Sequence, residues 1–315
     1  MITQIRGLHH VTSLARDAQT NNDFFTRVLG LRRVKKTVNF DSPDVYHLYY
    51  GNEDGAPGTI MTYFPFPMIA PGRPGTGEVG TTAFSIPEGS RAWWRHHLEA
   101  RNVKGVAERE GLGETRLHFE GPDGDGFALV EQAGDARPPW TEGGIDADHA
   151  IRGFHSVALR LRDAVATREL LTFMGYRETA RDGGVQRLSV PDGNGAGVID
   201  LEAMPDTERS REGAGSVHHI AFSVPDRAAQ LRVMDALHKS GTATTPVIDR
   251  DYFWAIYFRT PGGVLFEIAT DEPGFARDED PAHLGEELRI PAQHAHLRDT
   301  IAARLAPLHD RGAAA

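Results

Sequence analysis

The sequence predicts an α+β protein built from four copies of one strand-rich module, and three observations carry that reading. First, Gly7-Leu8-His9-His10-Val11 recurs as Gly153-Phe154-His155-Ser156-Val157 and as Ser216-Val217-His218-His219-Ile220, with a fainter copy at Gly80-Thr81-Thr82-Ala83-Phe84. Second, a helical pattern follows each start. These patterns are Asn22 to Leu29 closing at Gly30, Ser90 to Ala100, Ala164 to Met174 closing at Gly175, and Arg227 to Lys239 closing at Gly241. Glycine just past the last apolar residue is a usual helix stop. Third, short strands separated by turn residues follow each helix, as in Val45 to Tyr50 then Gly58 to Tyr63, or Tyr252 to Arg259 then Gly263 to Ala269. Pro122-Asp123-Gly124, Pro191-Asp192-Gly193 and Pro261-Gly262-Gly263 supply explicit turn chemistry. Each unit therefore reads as strand, helix, then two or three strands, which is a βαβββ module.

The 315 residues suit two domains of ordinary size. Chain order suggests an N-terminal domain of modules one and two over residues 1–133, then a Pro- and Gly-rich linker over 134–150. A C-terminal domain of modules three and four follows over 151–270, and a tail with a terminal helix from Pro291 to Leu305 over 271–315. The last residues, Gly312 to Ala315, are expected to fray.

Composition narrows the chemistry. A formal charge of −10 with no basic stripe argues against nucleic acid or an anionic membrane as partner. The absence of cysteine removes disulfides, thiolate metal sites and cysteine nucleophiles, so any metal must sit on nitrogen and oxygen ligands. The N-terminus lacks the apolar core of a signal peptide, and no apolar run is long enough to span a membrane. A cytoplasmic protein is the expectation.

The two His-His pairs head equivalent strands. In the later copy Ile220, Phe222 and Val224 alternate as an apolar face, so His219 points the other way, into whatever the sheet encloses. His10 is its counterpart. The third module has Ser156 there and the second a small residue, so only modules one and four can donate an imidazole. Glu267 closes an otherwise apolar strand and needs a partner or a metal if buried. Two imidazoles and one carboxylate form the facial triad of non-heme Fe(II) oxygenases. Mn(II) shares this ligand set. Glu131 and Glu202 close strands in modules two and three and are expected to be structural or surface carboxylates.

These stretches, with Asn22-Asp23-Phe24-Phe25, Tyr46-His47-Leu48-Tyr49-Tyr50, Gly58-Thr59-Ile60-Met61-Thr62 and Arg259 to Glu267, resemble the vicinal oxygen chelate superfamily of glyoxalases and extradiol dioxygenases. More narrowly they are similar to the dioxygenases that open hydroquinones and chlorinated hydroquinones, over nearly the whole chain. The resemblance implies modules paired into two glyoxalase-like domains with barrel-like mixed sheets, and ring opening of an aromatic diol by O2 with Fe(II) on His10, His219 and Glu267. It also implies that His9, Arg250 and Tyr257 handle the substrate. His9 is preferred over His218 as acid or base, while Arg250 and Tyr257 would hold an oxyanion. Phe253, Trp254, Phe222 and Phe266 are candidates for an apolar wall around a ring. The rival reading is a glyoxalase-type isomerase or thiol transferase, which would call for a second carboxylate where Thr62 and Tyr63 stand. Exposed sheet edges leave homo-oligomer formation open.

Overall fold

The computed structural model describes residues 1–309, so the expected fraying of Gly312 to Ala315 falls outside the described residues. Its architecture is α+β, with two eight-stranded mixed sheets that curl into half-barrels.

The first sheet is built from β1 (Leu8–Ala15), β2 (Arg32–Val38), β3 (Tyr46–Gly51) and β4 (Ile60–Pro65) of module one. Module two supplies β5 (Glu78–Ile86), β6 (Ala107–Gly111), β7 (Glu114–Glu120) and β8 (Gly126–Glu131). Module three supplies β9 (Gly153–Leu161), β10 (Arg177–Asp182), β11 (Val185–Ser189) and β12 (Val198–Ala203). Module four supplies β13 (Val217–Val224), β14 (Ile248–Asp249), β15 (Phe253–Arg259) and β16 (Leu265–Pro273), and it completes the first sheet. Strand order is β14-β15-β16-β13-β1-β4-β3-β2 in the first sheet and β10-β11-β12-β9-β5-β8-β7-β6 in the second.

The sheets therefore pair module one with module four and module two with module three. Division at the linker, which follows chain order, cuts across both. The reason lies in the central strands: β1 runs antiparallel to β13, matching Val11 with Ile220, and β5 runs antiparallel to β9, matching Thr82 with Val157.

The helices lie close to the expected segments. The first, α1 (Ala18–Asp23), starts four residues early because the Asp17 side chain accepts from Thr20 N–H, and it runs on as a π-helical turn over Phe24–Val28. The others are α2 (Arg91–Ala100), α3 (Val165–Phe173) and α4 (Arg227–Lys239). Gly30 takes φ +66° just past the first of these segments, a backbone conformation suited to glycine. The tail carries a 3-10 stretch at Ala292–Leu297 followed by α5 (Arg298–Arg304), where one helix was expected.

Strand alternation sorts side chains into two layers. Ile220, Phe222, Met61, Tyr63, Leu48, Tyr50, Phe266 and Ile268 belong to the main core, which continues into the second sheet around Phe84, Trp94 and Phe154. Their neighbours Tyr49, Ile60, Ala221, Phe253, Ala255 and Ala269 form a second, inner cluster within the first half-barrel. The tail residues Phe275 and Leu284 join that inner cluster and close one end of it. The other end holds the functional side chains.

Candidate metal centre

His10, His219 and Glu267 meet inside the first half-barrel, brought there from β1, β13 and β16. Among the described residues they are the one cluster whose ligand atoms, one per residue, all lie within 4.8 Å of one another. His219 Nε2 stands 2.9 Å and His10 Nε2 3.3 Å from the same Glu267 oxygen, and the two Nε2 atoms are 3.2 Å apart. Glu267 is 0% exposed, yet neither carboxylate oxygen receives a hydrogen bond of good geometry. A buried carboxylate left this way is costly. A cation at the point where the three groups converge would satisfy all of them, so the donor set fits a divalent metal.

Electrostatics favour the ligating protonation states. Burial holds the His219 ring neutral, down to about 4. Burial alone would push Glu267 up, but the His10 and His219 rings override it and keep the carboxyl well below its usual range.

Each candidate ligand ring is braced by the histidine before it. His10 Nδ1 lies 2.9 Å from His9 Nδ1, and His219 Nδ1 lies 2.7 Å from His218 Nδ1. If Nε2 of each ligand faces the metal, its Nδ1 carries the proton and donates to the neighbouring ring, which fixes the tautomers. Local geometry separates the two braces. Both braces sit at register shifts between β1 and β13, but His9 packs against Phe253 at 5.3 Å between ring centroids and stays out of the cavity lining. His9 is buried, which lowers it to about 3, and its remaining hydrogen bond goes to the Thr270 main chain. His218 instead lines a cavity of about 930 Å³ that ends at the triad.

Tyr257 and Arg250 line the same cavity. Tyr257 is paired across the sheet with Glu267, and its ring meets His219 edge-on at 5.6 Å. Arg250 Nε–H donates to the Tyr257 hydroxyl at 3.3 Å, and Nη1 reaches Asp41 at 3.5 Å. Its ion-pair partner thus comes from module one and not from the adjacent Asp249 or Asp251. Burial, then the Glu267 charge, keeps Tyr257 protonated well above its ordinary value. Of the four aromatic candidates only Phe253 reaches the cavity; Phe222 and Phe266 are core, and Trp254 stacks under Arg227.

The sequence reading missed two further module-one residues of the site. His47 and Tyr49 sit two apart on β3 and both line the cavity, a period-two signal in Tyr46-His47-Leu48-Tyr49-Tyr50 that alternation could have exposed. The two ring nitrogens of His47 lie 2.7 Å from Thr62 Oγ1 and 2.9 Å from Tyr49 OH, and burial keeps this ring well below its usual value. Register relates the halves: Tyr49 pairs with Thr62 as Tyr257 pairs with Glu267. Thr62 therefore occupies the position a second carboxylate would need.

In the second sheet the same registers replace the triad by ion pairs. Asp200 is paired with Ala158 as Glu267 is with Ala221, but Arg187 and Arg116 hold it at 2.8 and 2.7 Å. Glu131 binds Arg91, and Glu202 faces Arg160, so neither enters a metal cluster.

A family profile described as Glyoxalase/Bleomycin resistance protein/Dioxygenase superfamily matches residues 87–268. The chain belongs to that superfamily. Within it, the chain is 43% identical to the Bacillus subtilis protein MhqE, provisionally named a ring-cleaving dioxygenase, over 90% of this chain and 93% of that protein. It is 37% identical to the chlorohydroquinone/hydroquinone 1,2-dioxygenase of Sphingobium indicum, over 95% of each. A crystal structure from Bacillus subtilis, provisionally named a dioxygenase, superposes with a TM-score of 0.94 at 42% identity, covering 98% of this chain and 99% of that one. The chain thus groups with superfamily members named ring-cleaving dioxygenases. No helix among the described residues is long and apolar enough to cross a membrane.

Proposed function

We propose that the protein is a non-heme Fe(II)-dependent dioxygenase that opens the ring of a hydroquinone, or a related aromatic diol, with O2. The observation that carries the reading is the buried Glu267 carboxylate, without a hydrogen bond, converging with the Nε2 atoms of two histidines that line a cavity. Support for the substrate class comes from the chlorohydroquinone/hydroquinone 1,2-dioxygenase relative.

His10, His219 and Glu267 would hold the metal, with Mn(II) as the alternative ion for the same donors. Bound there, the metal supplies sites where diol and O2 can be gathered and the electron transfer that O2 chemistry requires. The chain's own residues do the rest. Arg250 stays charged in the cavity wall and can hold an ionised ring oxygen, while the Tyr257 hydroxyl remains a donor to the same oxyanion. With its Nδ1 accepting from His219, His218 presents Nε2–H as a proton donor on the cavity side. His9, turned away, serves to orient His10. Phe253 lies beside His10 at 5.0 Å and offers an apolar face for a ring. Thr62 keeps the module-one side free of a second carboxylate, which disfavours the glyoxalase-type alternative.

The test is oxygen uptake by anaerobically purified protein reloaded with Fe(II), with hydroquinone and catechol offered in parallel. Uptake matched to loss of aromatic absorbance on the para-diol is expected. His219→Ala should lose metal retention and turnover together; full activity in that variant would remove the triad.

A further inference from the structure

The cavity is far larger than a bare aromatic diol requires. Its volume of about 930 Å³ lies near the top of the roughly 300–1,000 Å³ range of pockets for drug-sized ligands, whereas about 150 Å³ suffices for benzene. The excess has a direction. On β1 the inward residues run from His10 through Thr12 to Leu14, and four residues at about 3.3 Å each place Leu14 roughly 13 Å from the ligand position. On β4, parallel to β1, Thr62 is followed on the same face by Phe64, whose register partner is Leu14. On β16, Leu265 stands two residues before Glu267, on the same side and toward the same end. Beyond the strand ends, Phe66 and Ile69 continue the lining to Met68, which is 95% exposed at the rim. Apart from the Arg250 guanidinium beside Tyr257, the charged side chains of the lining are Asp41, Asp44 and Glu212, all exposed carboxylates at the mouth.

We infer that the substrate is a hydroquinone carrying a neutral, apolar substituent of several carbons, alkyl or aryl. It would lie along Leu14, Phe64, Phe66 and Ile69, while the diol sits between the triad and the Arg250–Tyr257 pair. This inference rests on the ring-cleaving reading. The wall gives an apolar group surface to bury, and the acidic rim opposes a carboxylated ring.

The experiment measures oxygen-uptake kcat/KM for Fe(II)-loaded protein, and calorimetric binding without O2. The probes are hydroquinone, methyl-, butyl-, hexyl- and phenylhydroquinone, and 2,5-dihydroxybenzoate. Affinity and kcat/KM are expected to rise about fourfold per added methylene, corresponding to ~0.8 kcal/mol for each buried CH2, and to level off once the chain reaches the rim. Dihydroxybenzoate should bind more weakly than hydroquinone. Ile69→Trp, which fills the outer cavity, should cut the hexylhydroquinone-to-hydroquinone ratio at least fivefold while metal content stays intact. Hydroquinone opened at a rate that no substituent improves, or a preference for the carboxylated ring, overturns the inference and leaves ring cleavage standing. No uptake with any diol overturns both.

Discussion

At neutral pH the carboxyl of Asp125 ionises inside the protein against its surroundings. It is buried in the turn between β7 and β8, accepts one hydrogen bond from the Tyr63 hydroxyl, and has no partner for Oδ1. Burial raises it from 3.8 to about 6. The folded state therefore holds this proton more tightly than the unfolded chain. Its contribution is complete below 3.8 and disappears as pH rises through about 6, a swing on the order of 3 kcal/mol. Asp125→Asn keeps the acceptor for Tyr63 and cannot ionise. Thermal unfolding of the variant should gain on the wild type by a few degrees between pH 5 and pH 8; an offset constant across that range would contradict the account. Thr62 poses a second question at this scale. Since it stands in the register position of Glu267, Thr62→Glu should add a carboxylate to the centre and slow metal stripping by a chelator roughly tenfold or more, the scale on which nearby groups tune metal affinity. Oxygen uptake on diols should fall at the same time, because the new carboxylate takes a position otherwise free. Unchanged stripping kinetics would show that Thr62 lies outside reach of the metal.

Among the elements, the tail does more than extend the chain. Lys35 on β2 is fully buried, bonded to Asp278 and to the buried Glu279, with the Tyr252 ring 4.6 Å away. Arg33 Nε–H donates to Gly285 O, and further along Gln293 and His294 both bond Phe40 O, in the loop that edges the cavity. The tail thus seals the inner cluster with Phe275 and Leu284 and buttresses the rim. Lys35→Ala leaves the Glu279 carboxylate buried without its main cation, which should cost about 3–5 kcal/mol, whereas Lys35→Met with Glu279→Gln should recover most of that loss. Urea unfolding at constant m reads both, and equal losses in the single and double variants would refute the pairing. None of this was legible in Asp278-Glu279-Asp280-Pro281, which reads locally as a charged turn. Its partner is more than two hundred residues away in sequence, and composition carries no information about such distances. Helix stops at Gly30, Gly175 and Gly241 were legible because glycine acts locally, through its own backbone. The convergence of His10 and His219 was legible because repeat equivalence compares positions without needing distances, and that of Glu267 because a carboxylate in an apolar strand needs a partner; its module-three counterpart is Asp200, not Glu202. His47 and Tyr49 were missed because their part depends on register across β3 and β4.

For the whole molecule, repeat order and spatial order differ. Four modules could be read from recurring motifs, but no local signal says which module's first strand lies beside which. The central pairings, β1 with β13 and β5 with β9, join the chain's outer modules in one sheet and its inner modules in the other. The His10, His219 and Glu267 cluster follows this pattern, with one candidate ligand before the linker and two after it. Chain order alone would make residues 1–133 and 151–309 two self-sufficient halves. The strand pairing instead makes each half two separate half-sheets, with an exposed central edge on β1 and β5 or on β9 and β13. Such edges favour association or aggregation. Cutting the chain at Glu142, an exposed linker residue, should therefore yield fragments that are insoluble or poorly folded when expressed singly and that associate when coexpressed. Metal should be retained by the coexpressed pair only, since one fragment carries His10 and the other His219 and Glu267. Size-exclusion chromatography with metal analysis on each preparation decides the matter. A folded monomeric fragment that binds metal alone would mean that the contacts between modules one and four are not what assembles the site.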